Sequence, residues 1–195
     1  MIILASGSAS RRDMLASAGV PFEIFTTAVD EGAVKNLLAS QGADPREIAL
    51  ELAKVKALAV SALHPARLVL GGDSIVSVAH QMFDKPVSRD NAAEHLRLFS
   101  GQTLVLDSAA ALAKDGVIID CRSDDAQLNV RDLSEDFIES YLDAEWPAIA
   151  ACVGCFRIEA HGVQLFESLA GSHFTILGMP LLPVLDMLRK QGAMA

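Results

Sequence analysis

The sequence has no long apolar run, no surplus of positive charge and too few cysteines for a disulfide framework. The stretch LVLGGDSIVSVA is broken by two glycines and an aspartate, and nothing else approaches the ~20 apolar residues a membrane helix requires. The opening MIILASGSASRRDML meets polar Ser6 at once and places Arg11 and Arg12 behind it. A secretory signal has its charge first and a longer apolar run after it. Three cysteines are an odd number, which disfavours paired disulfides. With 16 Lys plus Arg against 25 Asp plus Glu, the net charge is −9. That argues against a general nucleic-acid polymer or anionic-membrane binder, which needs a broad basic face. A small phosphorylated ligand needs only a few local cations and stays open. Also missing are a Walker A loop, a G-x-G-x-x-G fingerprint, H-E-x-x-H and G-x-S-x-G.

What is present suits one continuous core. The 195 residues are 51% hydrophobic, which excludes a disordered chain and predicts a single domain over 1–195. These features together predict a soluble, cytoplasmic protein. Strand and helix signals alternate. Ile2–Ala5 reads as a short buried strand, followed by a small-residue loop and a helix over about 10–18, with Met14 and Leu15 inward. A second strand covers 22–26. Asp44-Pro45-Arg46-Glu47 is a strong helix start, with an N-cap, a first-position proline and a capping-box glutamate. Ile48, Leu52, Val55, Ala59 and Ala62 then form one apolar face. Strands are expected over 67–70 and 75–79, on either side of Gly71-Gly72-Asp73. Ser88 caps a helix to Phe99, and 103–113 with 117–130 forms a hairpin about Lys114-Asp115-Gly116. Ser134 caps another helix, 173–177 reads as a short strand, and a helix follows Gly178-Met179-Pro180. This pattern predicts an α/β fold with a mixed sheet and flanking helices.

Five places are candidates for chemistry. Ser6-Gly7-Ser8 leads from a strand into a helix bearing Arg11 and Arg12. Exposed N–H groups, hydroxyls and guanidinium forks there suit a phosphate, although an ordinary strand-to-helix turn would use the same residues. Gly71-Gly72-Asp73 puts a carboxylate at a strand junction, where it is costly unless it pairs, binds metal or works as a base. The glycine pair would keep the backbone open to a ligand, while a turn aspartate is the competing reading. Lys54, Lys56 and the lysine of Asp84-Lys85-Pro86 are point charges for phosphates or plain solvated lysines. Asp30-Glu31 would suit Mg²⁺ or an exposed loop. Cys152-x-x-Cys155 lacks the further ligands that zinc requires, so the thiols are expected to pack.

Read together and in order, the segments LASGSASRRDML, Val29-Asp30-Glu31, ELAKVKALAV, GGDSIV, DKP, Ser100-Gly101, Leu133-Ser134 and GCFRIEAHGVQLFESLAG with Gly178-Met179-Pro180-Leu181 resemble the Maf family of nucleoside triphosphate pyrophosphatases. The resemblance spans nearly the whole chain. It implies a cytoplasmic enzyme, often a homodimer, with an elongated, ITPase-like two-lobed α/β fold and a deep cleft. It also implies cleavage between the α and β phosphates, giving a nucleoside monophosphate and pyrophosphate, with Mg²⁺ or Mn²⁺. The resemblance assigns Asp73 as base or metal ligand and Glu31 as its metal or water partner. Ser6, Ser8, Arg12, Lys56 and Lys85 fall on the triphosphate, and Arg11, Ser74 and Glu159 on the base. Two residues between Ser8 and Arg11, and the pattern Gly154-x-Phe156-x-x-Glu159, look like the 7-methyl-GTP group. The alternatives are a dTTP/UTP pyrophosphatase, or a nucleotide-binding regulator of cell division with little turnover. The chain departs from the family at Ala9, at Gln102-Thr103-Leu104 and at Ser74, where the 7-methyl-GTP group resembles Gln.

Overall fold

The capping box at Asp44 closes as expected in the computed structural model, which describes residues 1–194. Glu47 N donates to Asp44 Oδ1 at 2.8 Å and Asp44 N to Glu47 Oε2 at 3.0 Å, and the helix α3 runs Pro45–Ser61. Before it come β1 (Ile2–Ala5), α1 (Ala9–Ser17), β2 (Phe22–Ile24) and α2 (Glu31–Ser40). After it come β3 (Val69–Val78), β4 (Gln81–Phe83), α4 (Arg89–Phe99), β5 (Thr103–Lys114), β6 (Val117–Val130), α5 (Glu135–Glu145), β7 (Phe166–Ala170), α6 (His173–Ile176) and α7 (Leu181–Lys190). The strands form a mixed sheet in the order β2-β1-β3-β5-β6-β7, with β4 pairing off β3. The mixed α/β class expected from the alternation is the one observed. No helix among the described residues is long and apolar enough to cross a membrane.

Contacts divide the chain into two compact units. The first holds 1–74, 107–124 and the chain from Ser172 on; the second holds 75–106 and 125–171. In the first, β1 lies parallel to β2 (Ile2↔Phe22) and to β3 (Ile3↔Val69, Ala5↔Gly71). Parallel strands covered on both faces read as continuous apolar runs, which is why Ile2–Ala5 was legible. Ile2, Leu4, Leu15, Leu70, Leu112, Val184 and Leu188 share its main core. In the second unit, Ser88 and Ser134 cap α4 and α5, accepting from Asn91 N at 3.0 Å and Phe137 N at 3.2 Å. There β6 and β7 pair antiparallel, with Leu128 opposite Leu169.

Several elements differ from the sequence reading. The two strands expected around Gly71-Gly72-Asp73 are one unbroken strand, β3. Residues 173–177 hold the short helix α6 instead of a strand, because a brief apolar run has no period to separate the two. Helix α2 went unread because it buries no residue and so shows no apolar face. On α3 the buried face is Ile48, Ala49, Leu52, Ala53, Ala57 and Val60; Val55 and Ala59 are only partly covered. The small side chains of Ala53 and Ala57 turn to the sheet for a reason visible at Gly71.

Candidate active site

Strand β1 delivers the chain into Ser6-Gly7-Ser8, and α1 begins with Ser8 as its N-cap, its Oγ accepting from Arg11 N at 3.4 Å. The register Ala5↔Gly71 places the Gly71-Gly72-Asp73-Ser74 stretch of β3 beside that loop. The two glycines serve the protein itself, which corrects the expectation that they keep the backbone open to a ligand. A Cβ on Gly71 would lie 2.3 Å from Ala53 O and 2.8 Å from Ala57 N, so α3 rests directly on the strand there. A Cβ on Gly72 would meet Arg11 Nε at 3.2 Å and Ala109 O at 3.3 Å. Successive residues of a strand face opposite sides, so one glycine seats a helix and the next seats an arginine.

Seating α3 this closely brings Lys56 to the strand. Its Nζ is 2.5 Å from Asp73 Oδ1 and 2.9 Å from Glu31 Oε2. The Lys56 and Asp73 side chains are only 15% and 12% exposed, so this charge pair is little screened by solvent. Glu31 reaches it from the first turn of α2, where Asp30 is the N-cap and accepts from Ala33 N at 2.9 Å. A cavity of about 80 Å³ beside the cluster is lined by Ser6, Gly7, Thr27, Glu31, Lys56 and others.

Arg11 is buried and tied down on all three of its nitrogens. Nε donates to Gly178 O at 2.8 Å, Nη1 to Ser6 Oγ at 3.1 Å and Nη2 to Ser74 Oγ at 2.9 Å. Burial pushes this guanidinium below the ordinary arginine value, while Asp73 and Glu31 pull it back up. Ser74 in turn lies 2.9 Å from Ser108 Oγ, which donates to Thr175 O at 2.9 Å. Ser74 is therefore an internal ligand of Arg11, joined to a buried polar network that satisfies both.

The structure thus brings Ser6, Ser8, Arg11, Glu31, Lys56, Asp73 and Ser74 together in the first unit. Arg12 is not among them: half exposed, it pairs with its neighbour Asp13 at 2.9 Å, since the helix turn that points Arg11 inward points the next residue out. Lys85 and Glu159 belong to the second unit and are exposed there.

Residues 1–191 match the family described as Maf-like protein. This chain belongs to the Maf family. A Rhodospirillum rubrum protein named nucleoside triphosphate pyrophosphatase is 40% identical over 193 residues, 99% of this chain and 96% of its own. A Rhizobium etli protein named 7-methyl-GTP pyrophosphatase is 43% identical over 191 residues, 98% and 96% of the two chains. A Nitrobacter winogradskyi protein named nucleoside triphosphate pyrophosphatase is 44% identical over 97% of this chain and 93% of its own.

Other groups that touch this cluster in the Maf chain carry no chemical signal in the sequence, although Gly178 lies in one of the family segments. The Gly178 carbonyl and Ser108 orient Arg11 and Ser74 from far along the chain. Thr27 Oγ1 is buried beside the cavity without a hydrogen-bond partner among the described residues. In the second unit, Cys155 is buried with Sγ 3.5 Å from His95 Nδ1, and burial pushes its thiol up to about 12. A neutral, packed thiol is neither nucleophile nor ligand. No group of three or more His, Cys, Asp or Glu suited to a metal occurs among the described residues. We expect the Cys152→Ala/Cys155→Ala variant to keep turnover and metal content essentially intact, with a modest loss of melting temperature from the small cavity. Stoichiometric zinc in the purified protein, lost in the double variant, would refute this.

Proposed function

We propose that this enzyme, a nucleoside triphosphate pyrophosphatase of the Maf family, takes 7-methyl-GTP and water to 7-methyl-GMP and pyrophosphate. The observation that carries the chemistry is the Lys56 ammonium held between Asp73 and Glu31 beside the Ser6-Gly7 loop. Phosphoryl transfer asks a protein mainly for positioning and for charge against the oxygens. Lys56 and the loop's donors supply these, with Lys85 assigned to the triphosphate by its motif. Asp73 is the carboxylate that accepts the proton of the attacking water, and the hydrogen bond from Lys56 fixes its orientation.

Glu31 and Asp73 are the residues that would hold a divalent cation, Mg²⁺ or Mn²⁺. Their carboxylate oxygens, which here accept from Lys56, would be hard oxygen donors for such an ion beside the phosphates of a substrate. When bound, such an ion supplies further positive charge against the phosphoryl oxygens.

The choice of base rests on Glu159 and on the relatives named for it. N7-methylation leaves guanine positively charged, and N1–H and N2–H are donors, so a carboxylate complements that base better than an uncharged pyrimidine. Glu159 is exposed and forms no ion pair among the described residues. Glu159→Gln keeps size and removes charge, so kcat/KM for 7-methyl-GTP should fall about ten- to a hundredfold. Activity on dTTP or UTP should fall less, or rise. Pyrophosphate release from 7-methyl-GTP, GTP, dTTP and UTP with Mg²⁺ or Mn²⁺ decides this. A wild-type preference for dTTP would overturn the substrate assignment, and equal loss on all four would remove Glu159 from the base.

A further inference from the structure

We propose that Glu145 is a positioning residue for nucleotide selectivity: it clamps both ends of the turn that carries Glu159. This rests on the reading above that Glu159 faces the base.

Glu145 is the last residue of α5 and its side chain is 1% exposed. Both circumstances oppose a carboxylate, since burial strips its water and a helix C-terminus already carries partial negative charge. Its oxygens are fully engaged nonetheless. Oε2 accepts from Arg157 Nε at 2.9 Å, while Oε1 accepts from His161 Nδ1 at 2.9 Å and from the His161 backbone N at 3.3 Å. Burial alone would push the Glu145 carboxyl up; the hydrogen bonds from Arg157 and His161 outweigh it and hold the carboxyl low.

The two partners lie two residues before and two residues after Glu159. Between them the chain turns tightly, with Ala160 N donating to Arg157 O at 3.1 Å. Just beyond, Gly162 has no room for a side chain: a Cβ there would sit 2.4 Å from Arg157 O. One helical turn back on α5, the Tyr141 hydroxyl donates to Cys155 O at 2.9 Å and fixes the chain entering the segment. A single helix face, through Tyr141 and Glu145, therefore holds the backbone on both sides of Glu159.

A buried charged clamp is a weak device for stability, because well-packed apolar residues commonly do as well or better. Its particular contribution is geometric. Arg157 and His161 are drawn to one carboxylate, so the residue midway between them is presented in one place.

The test measures the ratio of kcat/KM for 7-methyl-GTP to that for UTP in wild type, Glu145→Gln, Glu159→Gln and the double variant. Glu145→Gln should lower the ratio on the order of tenfold, as small misplacements of a recognition group do. The double variant should be no less selective than Glu159→Gln alone, because Glu145 acts only through Glu159. If Glu159→Gln lowers the ratio and Glu145→Gln leaves it unchanged, the clamp is refuted and the base assignment stands. A Glu145→Gln loss that is equal on both substrates would mark a role in the fold only and also overturn the proposal. If Glu159→Gln itself leaves the ratio unchanged, the base assignment falls and the inference falls with it. Should Glu145→Gln fail to fold, Arg157→Gln cuts the same clamp from its more exposed side and is read in the same way.

Discussion

Asp73→Asn should lower kcat by about 10²–10⁴-fold, the usual loss on removing a general base, while nucleotide binding stays measurable. Asparagine keeps the size of the side chain and an oxygen for Lys56 to donate to. Glu31 still neutralises that ammonium from the other side at 2.9 Å, so the variant should fold with its cluster in place. What disappears is basicity at the one carboxylate on β3 that is mostly buried and directly paired with Lys56. Pyrophosphate release under saturating nucleotide reads the chemistry, and calorimetric titration with a non-hydrolysable triphosphate reads the binding. A variant retaining more than half of wild-type kcat would remove Asp73 from the reaction. Loss of binding in parallel with turnover would make it a substrate or metal holder instead.

Gly71→Ala should be the most destabilising single methyl in the first unit. The added carbon would lie 2.3 Å from Ala53 O and 2.8 Å from Ala57 N, and both are backbone atoms of α3 that cannot swing aside like a side-chain tip. The helix must lift from the strand, which at the upper end of overpacking costs about 3 kcal/mol or more. In a chain of this size that corresponds to roughly 6–12 °C in melting temperature. Because Lys56 sits on the same helix, its contact with Asp73 should loosen and turnover should fall as well. Gly7→Ala is the control for stability, since a Cβ at Gly7 meets nothing within 4 Å. Thermal unfolding of the three proteins checks both statements, and a Gly71→Ala melting temperature within about 2 °C of wild type would show that α3 has slack the packing does not suggest.

The features legible in the sequence are those whose cause lies within a few residues. The capping box at Asp44, the serine caps of α4 and α5, and the buried run of β1 depend on immediate neighbours. So does the turn at Asp115-Gly116, where both residues have positive φ. Ser6, Glu31, Lys56 and Asp73 were singled out in the sequence as candidates for phosphate and carboxylate work, and the structure places them side by side in the first unit.

Where reading failed, the deciding partner was distant. The strand β3 stays unbroken at Gly71-Gly72 because α3 and Arg11 fill the space beside it. Segment 173–177 is helical although its short apolar run suited a strand equally well. Arg11 and Arg12 are the same residue type side by side, yet only Arg11 faces inward, where Gly178 O, 167 positions away, accepts its Nε–H. Ser74, which departs from the family's pattern, finds its partners in Ser108 and Gly178 O, 34 and 104 positions away. Sequence by itself determined the family, the α/β alternation and the residue types of the site. Only the tertiary structure decided which of those side chains meet, because a buried polar group must find its partner wherever in the chain the packing brings one.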